Sequence, residues 1–120
     1  MKQKVHSVSY LAKAEFEFKN GVYDLVAIPS GAEVVKVALE VVGNPTVGSV
    51  SVGFKDETNK DYFLKLEYTT TTKNATSAKD YTATSDKVVV AEVKSANSQA
   101  DVKGVLRVLY FLPSVIEVEY

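Results

Sequence analysis

Hydrophobic and polar residues alternate along much of the chain. Residues 14–18 read Ala-Glu-Phe-Glu-Phe, and the runs 33–42 and 115–120 repeat this period of two. Such alternation is typical of β-strands with one buried face. The runs 88–91 and 105–112 are apolar at nearly every position and favour central strands. Together the runs predict strands over 4–11, 14–19, 22–28, 33–42, 47–54, 62–68, 80–84, 87–94, 102–112 and 115–120.

Turn-forming residues separate the predicted strands. Asn20-Gly21 is a strong signal for a β-hairpin. Pro29-Ser30-Gly31 and Gly43-Asn44-Pro45 predict turns at the ends of two further strands. The Thr-rich segment 69–78 and the polar segment 95–101 are expected to be loops, and no apolar stripe at helical spacing extends over ten residues.

The number and spacing of the strands predict the fold class. Eight or more short strands in 120 residues indicate an all-β protein, an antiparallel two-sheet β-sandwich that is jelly-roll-like. The chain has no internal repeat and no linker, so we expect a single domain. Within it, residues 1–19 form an N-terminal strand or arm segment, packed on or extending from the β-sandwich of residues 20–120.

Composition narrows the possible functions. Fourteen Lys and Arg oppose 15 Asp and Glu, for a net charge of −1, which argues against sequence-independent binding of nucleic acid. The chain has no Cys and one His, which excludes disulfides, thiolate zinc sites and thiol catalysis. No apolar run approaches the length of a membrane span, and no secretion signal is visible. We therefore expect a protein made in the cytoplasm, without nucleic acid or membrane partners.

Candidate catalytic and metal-binding residues are few, and each has a simpler explanation. Glu15 with Glu17, and Glu117 with Glu119, resemble carboxylate pairs, but strand alternation already explains their spacing. The acidic loop 56–61 lacks the ligand spacing and the glycine of a calcium loop. His6 lacks partners for a catalytic triad. We predict no catalytic residue, no cofactor and no metal, and thus no enzyme.

The tyrosines leave a sugar-binding alternative open. Tyr62, Tyr68 and Tyr81 lie in or beside predicted loops, where aromatic faces can stack on carbohydrate. Packing on the face of a sheet is the favoured explanation, because tyrosine is common in half-buried strands.

The chain has more apolar strand surface than one core requires. Both faces of 105–112 are apolar, and the second face of 33–42 is partly so. The charge of Arg107, inside an apolar strand, needs a partner, for which Glu117 or Glu119 is a candidate, at a sheet or subunit interface. These features predict burial against another subunit.

One segment resembles proteins of tailed-bacteriophage virions. Ile28-Pro29-Ser30-Gly31-Ala32 ends one strand and precedes the long Val-rich strand 33–42. The segments 48–56, 61–64 and 104–110 resemble the strand, the aromatic pair and the closing strand that follow in such proteins. The resemblance covers about residues 20–66 and 102–112.

This resemblance implies a jelly-roll decoration or cement protein of a phage capsid. Such proteins carry no enzymatic activity, form homotrimers or related clusters, and bridge neighbouring capsomers of the major capsid protein on the outer surface of the virion. A tail or fibre-associated module is the alternative within the virion. The interface with other copies or with the shell is expected at Val5, Val8, Tyr10, Leu11, Arg107, Leu109 and Phe111.

Overall fold

The computed structural model describes residues 2–67, 69, 72–96 and 101–113, and the backbone of 115–119. These residues form strands and no helix. The strands are β1 (Lys2–His6), β2 (Ser9–Glu17), β3 (Gly21–Ile28), β4 (Glu33–Val42), β5 (Ser49–Phe54), β6 (Leu64–Leu66), β7 (Asn74–Ser77), β8 (Tyr81–Thr82), β9 (Lys87–Lys94), β10 (Lys103–Phe111) and β11 (Val115–Glu119).

The strands form two antiparallel sheets and a separate two-stranded ribbon. One sheet has the order β2-β10-β4-β7, with β8 also paired to β4, and the other has the order β3-β9-β5-β6. From β2 to β5, successive strands alternate between the sheets, and β9 and β10 again lie in opposite sheets. This order is that of a jelly roll, so the predicted all-β sandwich is confirmed.

The core lies between the two sheets. Val37, Leu39 and Leu106 project from the five-stranded sheet and are buried, as are Val52 and Val89 of the four-stranded sheet. From Val37 to Val42 of β4, buried residues alternate with more exposed ones, because successive side chains of a strand point to opposite faces. An irregularity in the pairing with β10 breaks this alternation between Val34 and Val37, which are both buried. The alternation in the sequence thus corresponds to the division between core and surface.

Two turns show how the connections are made. In Pro29–Ala32 the amide of Ala32 donates to the carbonyl of Pro29 at 3.1 Å. Gly31 has a φ of 89°, as the third residue of a type II turn requires. The hairpin predicted at Asn20-Gly21 is wrong, because β2 pairs with β10 whereas β3 pairs with β9. The turn instead carries the chain from one sheet to the other, and Asn20 Oδ1 accepts a hydrogen bond from the amide of Ala96 at 2.8 Å.

Some strand limits differ from the predicted ones. The first break falls at residues 7–8 rather than at 12–13, because residues 9–17 pair continuously with β10. β7 lies inside the segment predicted to be a loop and pairs with β4, with Ala75 opposite Leu39. The predicted segment 1–19 therefore contains β1 of the ribbon and the whole edge strand β2 of the sandwich.

The ribbon extends from one end of the sandwich. β1 pairs antiparallel with β11, with Lys2 opposite Glu119 and His6 opposite Val115. At its base, His6 Nδ1 lies 3.0 Å from the carbonyl oxygen of Leu112, and the amide of Leu112 donates to the carbonyl of Val8 at 2.8 Å. The radius of gyration is 15.9 Å, against about 14 Å for a compact chain of this length.

Candidate interaction surface

The predicted interface residues of β2 and β10 come together in the structure. The register places Leu11 opposite Leu109, Tyr10 opposite Tyr110, and Ser9 opposite Phe111. Of these, Tyr10, Leu11, Leu109 and Phe111 are residues predicted from the sequence, in two segments about a hundred positions apart. Their adjacency follows from the pairing of the first and last strands of the sandwich.

The residues at this end of β2 are unusually exposed for their type. Leu11 is 63% exposed, Tyr10 is 52% exposed and Val8 is 39% exposed. Leu109 and Phe111 on the neighbouring strand are half-buried. We call these five residues the apolar end. Leu11, Leu109 and Phe111 point to the same side of the sheet, whereas Tyr10 points to the opposite, core-facing side, because successive side chains of a strand alternate. Exposed apolar side chains gathered at one end of an edge strand favour a protein contact.

Tyr110, which lies beside the apolar end, was not predicted as an interface residue. Its ring meets that of Tyr10 edge to face, with centroids 5.9 Å apart and planes at 75°. The position is half-buried and lies in the apolar run that the sequence analysis had singled out. The cross-strand register, which only the fold provides, is what pairs it with Tyr10.

Val5 lies apart from the apolar end, on the ribbon. It is half-buried, and the backbone register places it opposite Ile116. Ser7 and Val8 connect the ribbon to β2, so Val5 lies close in the chain to the residues that β2 and this connection contribute to the apolar end.

Arg107 forms an ion pair within the five-stranded sheet. Its Nη1 lies 3.5 Å from Glu40 Oε1 on the adjacent strand β4, and the two side chains are 38% and 48% exposed. The side chains of Glu117 and Glu119, the predicted partners, lie outside the described residues; the backbone of β11 pairs with β1, whereas β10 pairs with β2 and β4. An ion pair this exposed contributes little to stability.

The acidic loop 56–61 is anchored by one ion pair. Asp56 Oδ2 accepts a hydrogen bond of 2.6 Å from Lys87 Nζ, and the Lys87 side chain is 17% exposed. This hydrogen bond holds the pKa of Asp56 below its usual value and that of Lys87 above its usual value. In the loop that was considered as a calcium site, Asp56 therefore anchors the loop to β9 through Lys87. Among the described residues, no group of three His, Asp or Glu side chains could hold a metal ion.

The predicted tyrosine platform is not flat where it is described. The rings of Tyr62 and Tyr81 have centroids 5.5 Å apart and planes at 74°, and both pack against buried Phe54. Lys79 Nζ lies 3.7 Å from the centroid of the Tyr62 ring and occupies that face. Tyr68 lies outside the described residues. Tyr62 and Tyr81 serve as the outer layer of an aromatic cluster over the core.

The part of the chain that the structure describes holds no helix long and apolar enough to cross a membrane. The surface that distinguishes this molecule is thus the apolar end with the ribbon beside it. Comparison with solved structures identifies the class of protein.

Two solved phage capsids contain chains of the same fold. A chain of the acid-stable capsid of Helicobacter pylori bacteriophage KHP30 is 74% identical, with a TM-score of 0.92 and full coverage of both chains. A chain of the cyanophage Pam1 capsid is 20% identical, with a TM-score of 0.68 over 88% of this chain and 85% of that one, and shares the fold.

The class is therefore that of phage virion structural proteins. At this identity and coverage, the chain belongs to the same family as the KHP30 capsid chain. No family model matches the sequence, and no curated protein matches it. The resemblance to phage virion proteins is confirmed.

Proposed function

We propose that this protein decorates the outer surface of a phage capsid and cements neighbouring capsomers, without enzymatic activity. It acts as a homotrimer that binds the major capsid protein, after synthesis in the host cytoplasm. The observation that carries the proposal is the apolar end, where Leu11 and Tyr10 are more than half exposed. The similarity to capsid chains supports the virion setting of that contact.

The architecture supports a role in contact rather than in chemistry. A cement protein needs a rigid body and two contact surfaces, one for its own copies and one for the shell. The jelly roll provides the body through its buried hydrophobic core. The apolar end and the ribbon provide surface beyond that core, and repeated weak contacts over a shell add up through multivalency.

The interface residues belong to this proposal. Leu11, Leu109 and Phe111 form the apolar contact together with Val8 and Tyr10. Val5 extends the contact onto the ribbon, and Arg107 borders it on β10, two residues from Leu109. Apolar residues at the centre with a charged residue at the edge are the usual anatomy of a protein interface.

The first experiment counts copies of the chain in purified particles, relative to the major shell protein. Hundreds of copies in fixed ratio are expected for a lattice decoration. A handful of copies would place the chain in the tail or at one vertex, and none would refute the proposal.

The second experiment tests the contact itself. The double variant Leu109→Ala with Phe111→Ala is expected to lose assembly and capsid binding while staying folded. Val42→Ala with Val47→Ala is the matched control, since both valines are exposed outside the apolar end. Unchanged assembly and binding in the Leu109 and Phe111 variant would refute the assignment of this surface.

A further inference from the structure

The terminal ribbon has two strand edges that the described part of the chain does not cover. β1 pairs with β11, and neither pairs with a strand of the two sheets. A strand edge presents backbone N–H and C=O groups that can pair with another strand. An isolated two-stranded ribbon is only marginally stable in water, so additional strands beside it would be stabilising.

The two strands carry opposite charges. β1 contributes Lys2 and Lys4, which are exposed, whereas the sequence of β11 contains Glu117 and Glu119. The register within the ribbon already sets Lys4 opposite Glu117 and Lys2 opposite Glu119. Like charges directly opposite on neighbouring strands are destabilising, and opposite charges are favourable. Two β1 strands would therefore repel each other, whereas β1 and β11 are complementary.

We infer that the ribbons of different copies join edge to edge, with β1 of one copy beside β11 of the next. The inference deepens the proposed function by assigning the self-association of the decoration protein to its termini. β1 and β11 run antiparallel within one copy. A rotation about an axis parallel to the ribbon keeps the direction of every strand, so β1 of one copy is also antiparallel to β11 of the next. Such a head-to-tail contact uses two different surfaces and closes into a ring when its rotation permits.

The position of the ribbon favours a second copy as the occupant of these edges. β1 leads directly into β2 through residues 7–8, and Val8 lies in that connection as a member of the apolar end. The joined ribbons would therefore continue the proposed interface between copies. The molecule measures 56 Å along its longest axis and 24 and 18 Å across, which gives the ribbon room to meet its counterparts away from the sandwich bodies.

Cysteine crosslinking tests the inference on the full chain, because the natural sequence has no cysteine. Lys4→Cys and Glu117→Cys are made in separate, differently tagged chains and co-expressed, so that any disulfide between them must join two copies. Lys2→Cys with Glu119→Cys samples the neighbouring register. The expected result is several-fold more mixed dimer than symmetric dimer, both in solution and on particles. Asn59→Cys, in the exposed loop 56–61, is the control for random collision.

Charge reversal provides a second measurement. Lys4→Glu is expected to lower self-association several-fold, and Lys65→Glu, an equal change on the exposed edge strand β6, is expected to leave it unchanged. Three results would each overturn the inference. They are crosslinks mainly between two Lys4→Cys chains, crosslinks to the shell protein instead of another copy, and no crosslinks above the level of the control. Chains that coat particles without such crosslinks would refute the ribbon contact alone. Chains that crosslink but are absent from particles would refute the proposed function alone.

Discussion

At the scale of single residues, the contact between Gly104 and Phe16 shows how closely this sandwich is packed. The two residues are directly opposite on β10 and β2, and the Phe16 ring lies over the glycine and stacks on Tyr23 with centroids 5.4 Å apart. A Cβ atom at position 104 would overlap the Phe16 ring. Glycine is therefore required at this position by the packing of the Phe16 ring, not by unusual backbone angles.

Gly104→Ala is expected to destabilise the fold by about 1–3 kcal/mol, because the Phe16 ring must leave its position. Urea unfolding of the purified protein measures the change. In the background of Phe16→Leu, which removes the ring, the same substitution should cost clearly less. An equal cost in both backgrounds would show that the ring is not the cause.

The Asp56–Lys87 pair predicts a specific pH dependence. The pKa of Asp56 is lowered by its hydrogen bond to Lys87, so the pair stabilises the fold above the unfolded-state pKa of Asp56, near 3.8. This stabilisation is lost as the pH falls through the lower folded-state pKa. The pKa of Lys87 is raised from 10.5, so its contribution is present below that value and is lost as the pH rises through the folded-state pKa.

Asp56→Asn should therefore lower the unfolding temperature at neutral pH and flatten its dependence on pH at the acidic end. Thermal unfolding between pH 2 and pH 7 measures both effects. Asp24→Asn is the matched control, because Asp24 accepts a similar bond of 2.7 Å from Lys55 but both side chains are more than half exposed. A larger effect at Asp24 than at Asp56 would contradict the prediction.

At the scale of elements, the sequence predicts a strand correctly where hydrophobic and polar residues alternate. It does not predict a strand that forms only because the edge of another strand is available for backbone pairing. β4 is predicted over its full length because hydrophobic and polar residues alternate along most of it. β7 has no large apolar residue and forms because the edge of β4 is available beside it. The strands of the ribbon fall largely within the predicted strands 4–11 and 115–120, but no local pattern in residues 2–6 specifies β11 as their partner.

Removal of residues 2–6 is expected to leave the sandwich folded, because none of the residues of the hydrophobic core belongs to β1. The free energy of unfolding should change by less than about 1 kcal/mol, since a two-stranded ribbon adds little stability in water. Urea unfolding of the truncated and full chains provides the measurement. Loss of the cooperative transition would show instead that the ribbon is required for folding.

At the scale of the whole molecule, the strand pattern and the length of the chain suffice to predict the fold class. The apolar end is also partly predictable, because Leu109 and Phe111 belong to a run that is apolar on both faces. The pairing of β2 with β10 is not predictable in this way, since it joins residues such as Leu11 and Leu109 that are distant in the chain. The ion pair of Arg107 with Glu40 depends on the same strand order, because it requires β10 to lie beside β4.

The proposed trimer predicts that binding to the shell depends on the number of linked copies. Three copies that bind together each present one contact, and linkage raises the overall affinity by about 100-fold or more over a single contact. A chain lacking residues 2–6 keeps the sandwich but loses the proposed contact between copies. Half-maximal occupancy of stripped particles should therefore need about 100-fold more of the truncated chain, whereas Val42→Ala should bind like the natural protein. Equal affinities for the truncated and full chains would mean that each copy binds the shell independently. A single copy would then have to bridge neighbouring capsomers by itself.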